Sequence, residues 1–345
     1  MRAVVTGCAG FIGSHLTESL LADGIEVLGV DCFNDNYARR QKLINLAQAR
    51  EWDHFDFVPV DLTRGRLDDL VADADVVFHL AAEPGVRASW GDRFDTYVRN
   101  NLLATQLLLE SVRSAPERRF VYASSSSVYG EADVFPTSES VAPRPYSPYG
   151  VTKLSAEQLC FAYRSNFGVD LVALRYFSVY GPRQRPDMAF HRFCRAGLEG
   201  RPLSVLGDGE QSRDFTYVDD VVRATRAAAG AALLDERVFN IGGGARVTLN
   251  QTLEILNDLA GKSLEVIHSA RESGDVRDTG ADIERARQEL GYDPAVGLKE
   301  GLAAEFEWMR ERLSAGSSTS SSTSRRMPSS RADHAAPAEA ASTSA

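Results

Sequence analysis

The sequence predicts an α/β fold: a doubly wound parallel sheet. Three observations predict it. Short apolar runs alternate with stretches of helical period through the first half of the chain. Spaced glycines follow the first run at once. Polar or small residues follow each later run, at what would be one edge of the sheet, where open α/β sheets bind ligands.

The first element is the run Ala3-Val4-Val5, then Thr6, then Gly7, Gly10 and Gly13. Ile12, Leu16 and Leu20 recur at helical spacing, and Gly24 stands where a C-terminal cap belongs. This reads as strand, glycine turn, helix. Glycines let backbone amides approach a pyrophosphate, and the helix N-terminus offers unpaired N–H groups and a positive dipole end. The second strand, 25–30, ends in Asp31, eighteen residues past Gly13. That spacing suits a carboxylate gripping adenosine ribose hydroxyls. Its charge would repel a 2′-phosphate, so NAD is favoured over NADP, with Arg39 and Arg40 nearby as the opposing consideration. The spacing is G-x-x-G-x-x-G rather than the commoner G-x-G-x-x-G.

Further strands are predicted at 55–60, 75–81, 119–124 and 170–177, with helices at 101–113 and 154–166. The residues ending these strands fall into one row: Gly7, Asp31, Asp61, Ala81 with Ala82, and Ser125.

The chemistry is carried by Tyr149 and Lys153 with the serines 124–127 upstream. Residues four apart share a helix face. A free phenol titrates near about pH 10, and a fixed ammonium beside it lowers that value. The pair then accepts a proton near neutral pH, with a serine hydroxyl as relay to a substrate alcohol. A Y-x-x-x-K match alone is also what two ordinary surface residues give; the cofactor signature is what lifts it.

Bulk properties exclude several classes. The 345 residues suit one large α/β domain or two lobes, and 43% hydrophobic content is enough for a core. A net charge of -10 argues against a nucleic-acid partner. No apolar stretch reaches membrane-spanning length, and the first strand starts at once, leaving no room for a signal peptide. Cys8, Cys32, Cys160 and Cys194 show no paired spacing and read as reduced thiols of a cytoplasmic protein. The six histidines show no metal-ligand spacing, and His79, inside an apolar run, reads as a satisfied core residue.

From about Gly181 the text changes. Residues 181–213 hold six arginines against four acids, which suggests an anionic substrate or, alternatively, a solvated surface. Val238–Ile241 reads as a strand before three glycines, and 249–259 as a helix. The stretch from 313 to 345 is mostly Ser, Thr, Ala, Pro and Arg, with almost no large apolar side chains, and reads as a disordered tail.

Taken together, Thr6 to His15, Asp61-Leu62, His79 to Ala82, Ser125 to Gly130, Tyr149 with Lys153, Arg175 to Phe177 and Arg213 to Asp219 resemble the extended short-chain dehydrogenase/reductase family. The resemblance covers about residues 1–312 and lies with the nucleotide-sugar epimerases, dehydratases and decarboxylases. It implies a Rossmann-type NAD domain at 1–180, with returning segments near 215–230 and 237–243. It implies a substrate domain over 181–312. Position by position it makes Ser125 the catalytic hydroxyl, Tyr149 the base and Lys153 the ribose anchor. It places Gly7, Gly10, Phe11, Ile12, Gly13, Asp31, Asn34, Asp61, Leu62, Leu80, Ala81, Ala82, Asn101 and Tyr176, with Tyr149 and Lys153, at the cofactor. On the substrate side it implies Ser125, Tyr149, Ser178, Arg185, Arg213 and Arg271, the last contested by Arg277.

Dehydratases and decarboxylases of this branch carry a carboxyl residue after the catalytic hydroxyl. Here Ser126 and Ser127 stand there, which favours 4-epimerisation. The 181–189 segment and the serine run look most like UDP-glucuronate 4-epimerases. Ser126, Ser127 and Ser178 would hold a sugar carboxylate through neutral donors, with Arg87 or Arg192 adding attraction; plain loop filling is the other reading of the two serines. Neutral UDP-hexose epimerases and the dehydratase or decarboxylase classes remain as alternatives. Relatives pair through the helices near 101–113 and 150–166, so a homodimer is expected, against burial of those leucines on the chain's own sheet.

Overall fold

The computed structural model describes residues 1–65, 67–231, 234 and 236–320, with side chains as far as Ala315. Strands β1 (Arg2–Thr6), β2 (Glu26–Val30), β3 (Phe55–Val58), β4 (Val76–His79), β5 (Arg119–Ser125), β6 (Leu171–Tyr176) and β7 (Val238–Ile241) form one sheet. Its order is β7-β6-β5-β4-β1-β2-β3, and each neighbouring pair is parallel. The chain reverses direction across the sheet between β1 and β4, so the ligand crevice is expected outside their carboxyl ends.

Both faces are buried, and the two-residue period of a strand decides which side chain goes where. Ala3, Val5, Val76, Phe78 and Val121 join one core; Val4, Val77, Phe120 and Tyr122 join the other. The helices α1 (Phe11–Ala22), α2 (Ala104–Val112) and α3 (Pro148–Phe167) cover the faces. The second helix is entered through a π-helical segment, Val98–Leu103, so the predicted helix at 101–113 begins inside a wider turn.

Helix α3 starts six residues before the sequence expectation. The Ser147 hydroxyl accepts the Gly150 N–H at 3.1 Å and Pro148 opens the first turn, a pairing that nucleates a helix before its apolar periodicity shows. The early start puts Tyr149 and Lys153 in the first two turns of a rigid element. Gly168, at φ 73°, ends it.

The second lobe holds α4 (Ala189–Glu199), the parallel strands Leu203–Leu206 and Val266–Ser269, and the antiparallel pair Ser212–Asp214 with Arg246–Thr248. Helix α5 (Val218–Gly230) returns to pack on α1 and the main sheet. The last helix, α6 (Leu298–Ser320), corrects the sequence reading of a tail from 313. Leu302, Phe306 and Met309 anchor it in the core, and a helix already nucleated by packed turns is extended without a new nucleation cost. The remainder of that tail, 321–345, lies outside the described residues. Among the described residues no helix is long and apolar enough to cross a membrane.

Candidate active site

The glycine turn is tight because three backbones meet in it. Gly7, at φ 74°, donates its N–H to Val30 O at 2.7 Å, and a Cβ there would stand 2.9 Å from the Ala81 nitrogen. A Cβ on Gly13 would lie 2.1 Å from the Gly7 carbonyl oxygen. Gly10 caps α1 with extended backbone and no side-chain bond, leaving the first N–H groups of the helix to face the cleft.

Behind the turn lies a buried relay. Thr105 spends its hydroxyl proton on the Asn101 carbonyl at 2.6 Å, so it accepts from His79 Nε2 at 2.9 Å. His79 Nδ1 then accepts from Thr6 Oγ1 at 2.8 Å, and Thr6 Oγ1 accepts the Ala81 N–H at 3.1 Å. Burial, with Lys153 adding repulsion, holds the imidazole neutral and pulls its pKa down to about 3. A histidine depressed in the fold is charged first in the unfolded chain, so stability is lost as pH falls below about 6.5. Thermal melts at pH 7 and pH 5 should show that loss, and His79→Asn should shrink the difference.

A solvent-open crevice of about 210 Å³ lies over β1, β2, β4 and β5. Its walls include Gly7, Gly10, Phe11, Ile12, Gly13, Asp31, Asn34, Asp61, Leu62, Leu80, Ala81, Ala82, Tyr149, Lys153, Tyr176 and Arg185. Asp31 is set by two backbone bonds, from Phe33 N at 2.8 Å and Ala9 N at 3.3 Å. Burial raises its pKa, and Lys42 opposes the rise. A glycine cradle, an exposed helix N-terminus and a carboxylate at the end of β2 fit a dinucleotide's pyrophosphate and ribose.

Lys42 was missed by sequence reasoning. It is buried, lines the crevice, and donates to the Asn34 carbonyl at 2.9 Å and to the Asn34 side-chain oxygen. Asn34 in turn donates to Glu83 at 2.8 Å. Arg39, weighed at first for a 2′-phosphate, instead stacks on Phe33 at 5.0 Å. Asn100, Asn36 and Tyr37 also line the crevice unforeseen. Asn101 does not. It is a clasp: its side chain accepts Glu83 N at 2.6 Å and donates to Glu83 O at 3.1 Å and Thr152 at 3.0 Å.

Tyr149 lies half-buried against Ser125 at the end of β5. Burial raises the phenol's pKa; a hydrogen bond from Ser125 and the Arg185 guanidinium act against the rise. Ser125 Oγ also accepts the Ser127 N–H at 3.2 Å, which fixes the hydroxyl at the mouth of a short 3-10 turn. The expectation that Lys153 supplies the tuning cation is corrected here. Its ammonium points to the Ala123 carbonyl and sits 4.7 Å over the Tyr122 ring, and burial lowers its pKa to about 8. The cation bearing on the phenol is Arg185, held by Asp187 in two bonds of 3.0 and 2.9 Å. Four positions in one helix align two residues on a face, but the backbone carbonyl of β5 captures the ammonium first.

The other arginines divide into two groups. Arg87 pairs with Asp275 at 2.8 Å and Glu272 at 3.3 Å, Arg271 donates to the Asp275 carbonyl at 3.2 Å, and Arg213 donates to the Val276 and Arg277 carbonyls at 2.6 and 2.7 Å. These three converge on one loop. Arg277 turns instead to Asp208. Arg192 lies apart from them, in a hollow with Arg195 and Arg201. Ser178 stands beside the crevice in the turn after β6, its carbonyl accepting Thr216 N at 3.2 Å.

Comparison with known proteins places this geometry. The model of the NAD dependent epimerase/dehydratase family matches residues 3–242. The uncharacterised UDP-glucose epimerase YtcB of Bacillus subtilis is 45% identical over 90% of this chain and 98% of its own. The UDP-glucuronate 4-epimerase of Thermodesulfobacterium geofontis is 38% identical over 90% and 96%. The crystal structure of UDP-glucuronic acid 4-epimerase from Bacillus cereus, in complex with UDP-glucuronic acid and NAD, superposes with a TM-score of 0.87 at 44% identity, covering 90% of this chain and 100% of that one. With a matched model spanning most of the chain and relatives aligned nearly end to end, the protein belongs to the NAD dependent epimerase/dehydratase family.

Proposed function

We propose that the chain is a UDP-sugar 4-epimerase whose preferred pair is UDP-glucuronate and UDP-galacturonate. The observation that carries the reading is the half-buried Ser125–Tyr149 contact beside the glycine cradle, followed by serines rather than carboxyl residues at 126 and 127. Elimination of water needs a further acid and base, and these two positions offer neither.

When bound, NAD accepts a hydride from carbon 4 of the sugar and later returns it. The chain does the rest. Tyr149, with Ser125 as relay, takes the proton of the 4-hydroxyl and gives it back. Arg185 favours the phenolate while that proton is held. The ketone turns over about its bond to the diphosphate and is reduced from its other face, so one closed site serves both transfers. Arg87, Arg213 and Arg271 hold the diphosphate end; Ser126, Ser127 and Ser178 hold the carboxylate.

That last grip matters because a 4-keto glucuronate is a β-keto acid. It loses carbon dioxide when the carboxylate bond stands perpendicular to the ketone. Ser126→Ala with Ser127→Ala should therefore raise the UDP-pentose share of the product at least several-fold, read by chromatography after incubation with UDP-glucuronate. An unchanged product ratio removes the serines from that role. A second reading, epimerisation of neutral UDP-hexoses, draws support from the 45% identical relative; comparing kcat/KM for UDP-glucose and UDP-glucuronate decides between them.

The same reading includes a two-fold pair. Leu103, Val151 and Phe167 are exposed on or beside α2 and α3, while Leu108 and Leu109 serve the chain's own core. A second copy covering the exposed set would remove an apolar patch from water; light scattering tests it.

A further inference from the structure

Three residues of α3 at successive turns face three consecutive residues of β5, and two of them bond it. Tyr149 meets the Ser125 hydroxyl, Lys153 donates to the Ala123 carbonyl, and Glu157 accepts the Ser124 hydroxyl at 2.6 Å. Glu157 has no role in the reaction described above, yet its carboxylate is fully buried. Its oxygens are clamped by Arg175, through Nε at 3.1 Å and through the second nitrogen at 2.5 Å. Arg175 continues to Tyr129 at 2.7 Å, Tyr129 to Asn240 at 2.7 Å, and Asn240 to the Thr137 carbonyl at 2.9 Å.

We propose that Glu157 is a positioning residue for Lys153: it supplies the buried anion that holds the Lys153 ammonium against β5. The argument is one of elimination among neighbours. The groups facing Lys153 are Cys160 on its own helix, Tyr122 on β5, His79 on β4 and Arg175 on β6 beyond Glu157. Tyr97 stands further off, its ring 6.3 Å from that of Tyr149. Burial keeps Cys160 and Tyr122 protonated, and His79 is neutral. Glu157 is the one carboxylate among these groups. It balances an ammonium that burial otherwise discharges. Arg175 and Ser124 hold it in place.

The inference rests on the epimerase reading for its importance, so its test is made independent of turnover. The chain has four lysines, Lys42, Lys153, Lys262 and Lys299. Carbon-13 labelling of the lysine side chains, with Lys153→Met for assignment, lets the Lys153 titration be followed by NMR in the NAD-bound protein. Glu157→Gln should move that titration about one unit or more to lower pH, the size expected for loss of a neighbouring opposite charge. Glu157→Asp should restore most of the shift. If Glu157→Gln folds poorly, Glu157→Gln with Arg175→Met removes both buried charges and should still leave Lys153 titrating low. A purely structural role predicts the opposite sign, because a loosened core admits water and lets Lys153 rise toward its ordinary value. An unchanged or raised titration overturns the proposal. Failure of the wild type to turn over any UDP-sugar would overturn the epimerase reading and leave the NMR result standing.

Discussion

Tyr149→Phe is expected to lower turnover of the UDP-sugar by about a thousandfold while leaving NAD bound, within the range lost with a positioned general base. The phenol ring lines the crevice, and its edge packs on Tyr97 at 6.3 Å between ring centres. Deleting the hydroxyl keeps that packing and removes only the atom that exchanges a proton with the 4-hydroxyl. The Ser125 hydroxyl, still fixed by Ser127 N–H, then has no base behind it. The check is a pair of measurements on one preparation: NAD released on denaturation, and the rate of product formation. Full cofactor with lost turnover is the expected pattern. Wild-type turnover would take the proton-transfer role away from Tyr149.

Gly13→Ala is expected to cost both cofactor and stability. The added Cβ would stand 2.1 Å from the Gly7 carbonyl oxygen and 2.8 Å from its carbon. Both are backbone atoms, so no side chain can swing aside. Helix α1 must retreat from the turn, and the retreat pulls the first N–H groups of the helix away from the pyrophosphate. Overpacking of this kind costs about 1–3 kcal/mol. The variant should purify without NAD and melt at a lower temperature. A variant that keeps NAD at full occupancy would mean the cradle is not where the dinucleotide's phosphates lie.

Why some of this was legible in the sequence and some was not follows from the range of the interactions involved. The glycine turn, Asp31 and the order of strand and helix are local events. They are written in periodicity and in the residues that backbone geometry demands, and the structure puts Gly7, Gly13 and Asp31 on one crevice. The start of α3 was also local, yet its signal is a cap, Ser147 with Pro148, rather than an apolar stripe, so a reading by periodicity began too late. The misread contacts are non-local. Arg87 finds Asp275 across 188 residues of chain. Lys153 chooses the carbonyl of Ala123, 30 residues away, over the phenol on its own helix face. Asn101, within a π-helical turn, bonds Glu83 and Thr152 instead of lining the crevice. No spacing rule encodes such choices. Lys42 was passed over for a related reason: its reach to Asn34 depends on how the loop after β2 folds back, which neighbouring residues do not announce.

The central claim is that one bound NAD oxidises and re-reduces a single carbon within one closed site, with Tyr149 carrying the proton. UDP-glucuronate bearing deuterium at carbon 4 tests it most directly. Followed by proton NMR in ordinary water, the account predicts UDP-galacturonate that keeps the deuterium at carbon 4. Product with hydrogen at that carbon, or no 4-epimer at all, would contradict it.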